Sequence, residues 1–177
     1  LENDRASPTY DHLVRLSEGL GVDISSLFSA IQGGAVAGKG GRRSINRLGD
    51  GVAMDSRHSV QKYLSTELVD KEFTPILAEI TADSIEDHGA YLRHPGEEFV
   101  FVISGTLALY SEAYSPVVLK TGESIYFDST MAHAYVRIGE QACTVLSICT
   151  APHVLAARPA DPAPEPPRSA RRTGAKP

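Results

Sequence analysis

Short β-type runs separated by turns dominate this chain from Arg42 to Thr150, and they limit the architectures that it can adopt. The runs alternate in polarity or are rich in β-branched and aromatic residues, and no long helical period lies between them. The predicted strands are Phe73–Ile80, Glu98–Ser104, Thr106–Tyr110, Pro116–Lys120, Ser124–Phe127, Ala134–Ile138 and Ala142–Thr150. They are punctuated by Gly89, Gly105, Gly122 and Gly139. This spacing predicts a mainly β fold, an antiparallel sandwich or barrel.

Segments of different composition flank the predicted barrel, which we place at 48–150. Residues 29–41 hold five glycines with little periodicity, and we expect a flexible basic linker over 29–47. Residues 151–177 hold seven of the 11 prolines, a composition that predicts a disordered tail. The remaining segment, 1–28, is predicted to be helical and to form a separate unit.

Charge is distributed unevenly along the chain. The stretch 48–150 carries 15 acidic residues against six Lys and Arg, a balance of -9. Such a surface repels phosphate, so any contact with nucleic acid is expected from another part of the protein. The sequence shows no signal peptide and no apolar run of about 18 residues, so we expect no membrane contact and a cytoplasmic location.

The N-terminal segment resembles the last two helices of the Xre/Cro class of helix-turn-helix domains. Leu13, Leu16 and Leu20 recur on one helical face, Gly21 supplies a stop, and a short second helix follows up to Phe28. The matching landmarks are Leu1-Glu2, Pro8-Thr9, Leu20-Gly21-Val22 and Leu27-Phe28. The resemblance implies that the helix entering the major groove lies upstream of Leu1, so the DNA-binding residues are unknown here. We also expect the packing partners of these two helices upstream.

The segment from Gly89 to Arg137 resembles the cupin superfamily. In the first cupin motif, Glu98 is followed by six residues and then Gly105; His94 occupies the place of the second histidine, while Leu92 replaces the first. The second motif matches at Gly122 and His133, with Asp128, Thr130 and Arg137 in place of its proline, glycine and asparagine. The resemblance implies a cupin-type antiparallel β-barrel, a double-stranded β-helix or jelly roll.

Alternation along two strands selects the candidate ligand-binding residues. Glu98, Val100 and Val102 share one face, and His133, Tyr135 and Arg137 share one face of a later strand. If Glu98 and His133 point into the barrel, as the resemblance implies, Tyr135 and Arg137 point inward too. The candidate ligand-binding residues are therefore His94, Glu98, His133, Tyr135 and Arg137. Three roles stay open for Arg137: a salt bridge to Glu98, an anion site, or a solvated position at the barrel rim.

A metal site is the more specific of two hypotheses for the candidate residues. His94, Glu98 and His133 form a two-histidine, one-carboxylate set that suits Fe(II), Mn(II) or Zn with open positions. Against it, Leu92 leaves the usual four-ligand site one histidine short, and regulator cupins commonly lack metal. We therefore expect no cofactor, with one divalent transition metal as the alternative, and assign no catalytic residue.

The other histidines and the cysteines are predicted to have no functional role. His88 resembles a turn residue, and His58 and His12 lie in polar surroundings that predict exposure to solvent. Cys143 and Cys149 lie six residues apart on one face of a strand, about 20 Å from each other, too far to form a disulfide. We expect both to be buried free thiols.

Two functions follow from these resemblances. The first is a DNA-binding transcriptional regulator, not an enzyme, in which a small-molecule effector in the barrel changes operator binding by a homodimer. The alternative is a cupin metalloenzyme, an oxygenase or epoxidase-like protein with a helix-turn-helix-like N-terminal domain. A metal on His94, Glu98 and His133 would favour the enzyme, and an anion held by Arg137 would favour the sensor.

Overall fold

The computed structural model describes residues 10–22, 27–28, 41–69 and 71–150, in which β-strands prevail. Within these ranges the strands are β1 (Val52–Asp55), β2 (Ser59–Tyr63), β3 (Phe73–Ile80), β4 (Glu97–Ser104), β5 (Thr106–Ser111), β6 (Val117–Lys120), β7 (Ser124–Asp128), β8 (His133–Arg137) and β9 (Cys143–Thr150). Two helices accompany them, α1 (Tyr10–Leu20) and α2 (Ile85–His88).

Two antiparallel sheets face each other across the core. One has the strand order β1-β2-β3-β9-β4-β7, and the other has the order β6-β5-β8. Buried apolar side chains from both sheets form a single cluster, with Val100 and Val145 from the larger sheet and Leu107 and Leu109 from the smaller. This arrangement confirms the predicted mainly β antiparallel barrel.

All seven predicted strands are present, with ends that differ by a few residues at most. The prediction missed β1 and β2. Their sequences, VAMD and SVQKY, are short and mix polar with apolar residues; β1 has no buried residue, and burial along β2 does not alternate cleanly. They become strands because β2 pairs with β3, which is itself a strongly alternating strand.

The first helix packs against the barrel, contrary to the expectation that its partners lie only upstream. Leu13, Val14 and Phe28 are buried in a cluster with Tyr63 and Cys149, which belong to the barrel. On the predicted apolar face, Leu13 is buried as expected, but 43% of Leu16 and 60% of Leu20 are exposed.

The end of α1 follows the predicted stop. Gly21 has φ 64°, and the backbone N–H of Val22 donates to the carbonyl of Ser17 over 3.0 Å. This bond from the second residue after the cap satisfies a carbonyl that the helix cannot pair internally. Among the described residues, no helix has the length and apolarity needed to cross a lipid bilayer.

Part of the predicted linker contacts the barrel. The guanidinium of Arg42 donates to the carbonyl of Val69, and the hydroxyl of Ser44 donates to the carboxylate of Glu67. The predictions for residues 1–9, 29–40 and 151–177, and that of a second helix so far as it covers residues 23–26, lie outside the described residues. The domain bounds stay a prediction.

Of the four predicted turn glycines, Gly105, between β4 and β5, has the least space around it. It has φ 81°, and a Cβ added there would lie 2.5 Å from the carbonyl oxygen of Ala142. Gly122 has φ 88°, but a Cβ there would meet nothing within 4 Å. We expect Gly105→Ala to lower the free energy of unfolding by about 2–3 kcal/mol and Gly122→Ala by about 1 kcal/mol. Urea unfolding of both variants checks this, and equal losses would contradict the role of the close backbone contact.

Candidate metal centre

Glu98 lies at the centre of the site, on the inner face of β4. Its register partners are Phe127 on β7 and Cys149 on β9, and its side chain is 3% exposed. The alternation of β4 is as predicted, with Glu98, Val100 and Val102 all buried. A carboxylate in such a place must be paired or hydrogen-bonded, because an isolated buried charge is costly.

One oxygen of Glu98 is held by two hydroxyl groups. Oε1 accepts from the phenol of Tyr135 at 2.8 Å and from Ser147 Oγ at 2.5 Å. Burial raises the pKa of Tyr135 well above its ordinary value, with a further contribution from the negative charge of Glu98. The phenol therefore keeps its proton and donates. These two contacts orient the carboxylate and leave its second oxygen directed at the histidines.

The second oxygen of Glu98 faces two imidazoles. Oε2 lies 3.2 Å from Nε2 of His94 and 3.6 Å from Nε2 of His133. Burial by itself would raise the pKa of Glu98, but the hydrogen bond with His94 and the charges of His133 and His94 outweigh it, and Ser147 adds to their effect. The pKa is lowered to about 2. Glu98 is therefore an anion at neutral pH.

The other ring nitrogen of each histidine faces a backbone carbonyl. Nδ1 of His133 lies 2.8 Å from the oxygen of Met131, and Nδ1 of His94 lies 3.4 Å from the oxygen of Pro95. A carbonyl can only accept, so each Nδ1 carries a proton; a ring that also donates to Glu98 through Nε2 is then a cation, and a ring that has lost this proton presents a lone pair at Nε2. Burial lowers the pKa of His133, which favours its neutral form. When both rings are neutral, two lone pairs and a carboxylate oxygen face one another.

This convergence fits a divalent metal. Neighbouring ligand atoms at about 2.1 Å from a metal lie about 3 Å apart, close to the 3.2 and 3.6 Å spacings around Glu98. Carbonyl contacts behind the histidines and hydroxyl contacts behind the carboxylate are the outer partners that metal ligands usually have. The chemistry of the predicted ligands therefore fits a metal, although among the described residues the ligand atoms that all lie within 4.8 Å of one another are those of His94, Glu98 and Cys149.

Cys149 is an additional donor that the sequence prediction treated as a buried thiol. Its sulfur and ligand atoms of His94 and Glu98 all lie within 4.8 Å of one another. His133 is not part of that tighter group, although it contacts Glu98. Cys143 and Cys149 are both free and buried, as predicted.

The segment before β4 determines where His94 points. Leu92 pairs with His133 through two backbone hydrogen bonds of 2.8 and 2.9 Å, and the N–H of His94 donates to the carbonyl of Ser129 over 3.0 Å. These bonds attach the segment to β8 and to the turn before it. They carry the His94 side chain, which is 4% exposed, into the barrel beside Glu98.

Arg137 lies apart from the carboxylate. Its Nε donates to the carbonyl of Thr81 at 3.3 Å and its Nη1 donates to the carbonyl of Gly139 at 2.8 Å, while Nη2 lies 3.7 Å from Asp83. A quarter of its side chain is exposed. Of the three roles left open by the sequence, this is the rim position, and the structure shows no bridge from Arg137 to Glu98.

The prediction that His58 is exposed to solvent was wrong, and His88, predicted as a turn residue, ends α2 and is buried as well. His58 is 5% exposed and His88 is 3% exposed, and their rings stack with centroids 4.3 Å apart. His12 is exposed, as predicted. Tertiary packing buries His58 and His88 although their sequence neighbours are polar.

A cavity of about 40 Å³ adjoins the centre. Its lining includes the predicted residues His94, Glu98, His133 and Tyr135, together with His58, Ser147 and Cys149, which the prediction did not assign. The alternation of β9, with Cys143, Val145, Ser147 and Cys149 buried, could have indicated the last two. Nothing in the local pattern indicated His58.

Comparison with known proteins supports the cupin part of the resemblance. Residues 84–149 match the family model described as a cupin domain, so the barrel is of the cupin type. A search of curated proteins finds no match. The helix-turn-helix part of the resemblance stays a prediction.

Solved structures share this fold at low sequence identity. A crystal structure of FeII HppE is 19% identical, with 80% of this chain and 75% of that chain covered and a TM-score of 0.56. Hydroxypropylphosphonic acid epoxidase from S. wedmorenis is 19% identical over 80% of this chain and 74% of that chain, with a TM-score of 0.56. The same epoxidase in complex with fosfomycin is 20% identical, with 80% of this chain and 75% of that chain covered and a TM-score of 0.55.

At these identities the likeness shows the fold. The expectation that the chain is not an enzyme is contradicted by these neighbours, two of which are named as an epoxidase.

Proposed function

We propose that this chain is a cupin metalloenzyme of the oxygenase or epoxidase-like class, with one divalent transition metal held by His94, Glu98 and His133. The observation that supports it is the convergence of two imidazole Nε2 atoms on one oxygen of an ionised, buried carboxylate. Without a cation, at least one imidazole would have to take up a proton, and burial opposes that at His133.

The remaining polar groups of the site hold the ligands in place. Tyr135 and Ser147 fix the plane of the Glu98 carboxylate through its other oxygen. The carbonyls of Met131 and Pro95 fix the ring orientation of His133 and His94. Such contacts keep the ligand atoms in position before a metal arrives, which reduces the entropy that binding must overcome.

Apolar side chains form part of the cavity lining next to the metal centre. Ile76, Ala78, Ile80, Leu92 and Val145 face the same space as the ligands. When bound, a redox-active metal on two histidines and one carboxylate supplies open positions for oxygen chemistry. The apolar side chains exclude bulk water from that space and strengthen the electrostatic interactions within it.

The structural neighbours favour the enzyme over the regulator of the sequence analysis. One neighbour is named as an FeII protein and another as an epoxidase, and both share the fold of this chain. For this chain, an iron-dependent oxidation is the corresponding proposal. Operator DNA, an effector and a homodimer stay predictions, as does the role of the N-terminal helices in binding DNA.

Metal content of the purified protein tests the proposal. Protein from metal-supplemented cells is expected to carry about one transition metal ion per chain by elemental analysis, and His133→Ala is expected to lose most of it, because removing a ligand costs more than the 10–100-fold that an outer partner costs. His12→Ala, which removes an exposed histidine outside the barrel, is the matched control.

Absence of bound metal from both the parent and His133→Ala, after incubation with Fe(II), Mn(II) or Zn, would overturn the proposal. Equal metal content in the parent and in His133→Ala would overturn the assigned ligand set. Circular dichroism of each variant separates the loss of a ligand from the loss of the fold.

A further inference from the structure

A pair of stacked histidines lies at the edge of the cavity and takes no part in the metal centre described above. His58 directly precedes β2, and its carbonyl accepts from the N–H groups of Thr81 at 3.0 Å and Ala82 at 3.2 Å. His88 ends α2, a helix that packs on β8. Both side chains are at least nine-tenths buried, and their rings are 4.3 Å apart and 29° from parallel.

The two rings contain polar atoms that the described part of the chain does not satisfy. Nε2 of His58 and both ring nitrogens of His88 are buried without a hydrogen-bond partner of acceptable geometry. Leaving a buried polar group unsatisfied costs about 1–3 kcal/mol, so most such groups in folded proteins are paired with protein or with a bound molecule.

Of the two rings, only His58 adjoins the cavity of the metal centre. The lining also contains the apolar side chains of Ile80 and Leu92, together with the ligand candidates His94, Glu98 and His133. The polar side chains Ser59 and Gln61, which line it too, bond to each other at 3.2 Å, and Gln61 accepts from Tyr63 at 2.9 Å. His58, in contrast, brings to the lining a ring whose buried Nε2 has no hydrogen-bond partner in the described part of the chain.

The size of the cavity restricts what can meet His58. A volume of about 40 Å³ corresponds to about three water-sized positions. Only a small group fits there without movement of the walls: a few heavy atoms that combine an aliphatic part with one polar atom. An oxygen atom matches a neutral imidazole, which can donate to it from one nitrogen.

We propose that His58 is a substrate-binding residue whose ring hydrogen-bonds an oxygen, hydroxyl or carboxylate, of a short aliphatic molecule placed beside the metal centre. The inference rests on the proposed function, because it names the substrate class of the same site. The ring of His88 stacks on that of His58 but does not line the cavity. Burial lowers the pKa of both histidines, so both are neutral at neutral pH.

The test uses zinc-loaded protein, since zinc accepts the same ligand types and permits NMR. Ethanol and acetate are the probes, one for a hydroxyl and one for a carboxylate, and ¹⁵N-histidine spectra report the His58 ring. We expect at least one probe to shift the His58 ring signals. His58→Leu is expected to lower the affinity for that probe by about tenfold, the effect of one hydrogen bond to a buried group. His58→Gln, which keeps a donor and an acceptor near the position of Nε2, is expected to recover most of the affinity.

His88→Phe is the matched control, because it replaces a buried, stacked histidine that does not line the cavity. Its probe affinity is expected to stay within about threefold of the parent, well below the effect of one lost hydrogen bond. An equal loss in His88→Phe and His58→Leu would overturn the direct contact and leave only a structural role.

Other outcomes also overturn the inference. One is equal probe affinity in the parent and in His58→Leu. Another is that neither probe shifts the NMR signals of the His58 ring, which would leave water as its partner. Zinc content, measured in parallel, separates this inference from the proposed function. A parent that takes up no zinc contradicts the proposed function, and the same titration on metal-free protein then tests His58 by itself.

Discussion

Replacing Glu98 with alanine is expected to lower the free energy of unfolding of the metal-free protein by about 3–5 kcal/mol, the usual cost of removing one partner from a buried charged network. The change leaves the hydroxyls of Tyr135 and Ser147 without their acceptor and removes the anion between His94 and His133. It also opens a void in the core, which adds to the cost. Urea unfolding at neutral pH measures the effect.

Glu98→Gln is the matched control for this prediction. Its amide oxygen can still accept from Tyr135 and Ser147, and its NH₂ group can donate to the histidine Nε2 atoms. We expect a loss of less than about 1.5 kcal/mol, comparable to one ordinary hydrogen bond. Metal affinity, in contrast, is expected to fall by more than about 100-fold, because an amide is a poor substitute for an anionic ligand. If glutamine destabilised the protein as much as alanine, the hydrogen-bond argument would be wrong.

Acid is expected to destabilise the metal-free protein between pH 6.5 and about 4 through His88. Burial, followed by the charges of His58 and His133, lowers the pKa of His88 from 6.5 to about 4, against smaller opposing effects of the Ala90 backbone and Asp87. Within this pH window His88 is protonated in the unfolded chain but stays largely neutral in the folded protein. Stability therefore falls as the pH falls, and the contribution levels off below about pH 4.

The gap between these two pKa values corresponds to about 3 kcal/mol. Unfolding free energies of the parent and of His88→Phe, measured at several pH values, isolate this contribution, since the other titrating groups are common to both proteins. The parent is expected to lose about 3 kcal/mol more than the variant across the window. Parallel curves for the two proteins would show that His88 is protonated as readily when folded as when unfolded.

The alternation of polar and apolar residues along single strands predicted much of the barrel without any knowledge of tertiary contacts. On β4 it placed Glu98, Val100 and Val102 on one face, and on β8 it placed His133 and Tyr135 on one face; the cupin resemblance implied that both faces point inward, and all five residues are buried. Because side chains alternate strictly across a strand, a run of five to eight residues is enough to assign them to a face. The ligand candidates could therefore be selected from the sequence, with the motif spacing as a guide.

The alternation of polar and apolar residues does not show how far along the barrel axis a side chain lies, or which side chains of other strands it contacts. Arg137 shares its strand face with Tyr135, yet it lies at the rim with Thr81 and Gly139, because β8 ends there. Period and face are local properties, whereas the distance of a side chain from the site depends on where its strand enters the sheet.

Only the tertiary structure decided which strands are neighbours. It placed β9 beside β4, so that Cys149 and Ser147 reach Glu98 from about 50 residues away along the chain. It also stacked the rings of His58 and His88, although each histidine lies among polar residues in the sequence. The physical reason is that burial results from packing between distant segments, whereas sequence periodicity records only which side of its own strand or helix a residue occupies.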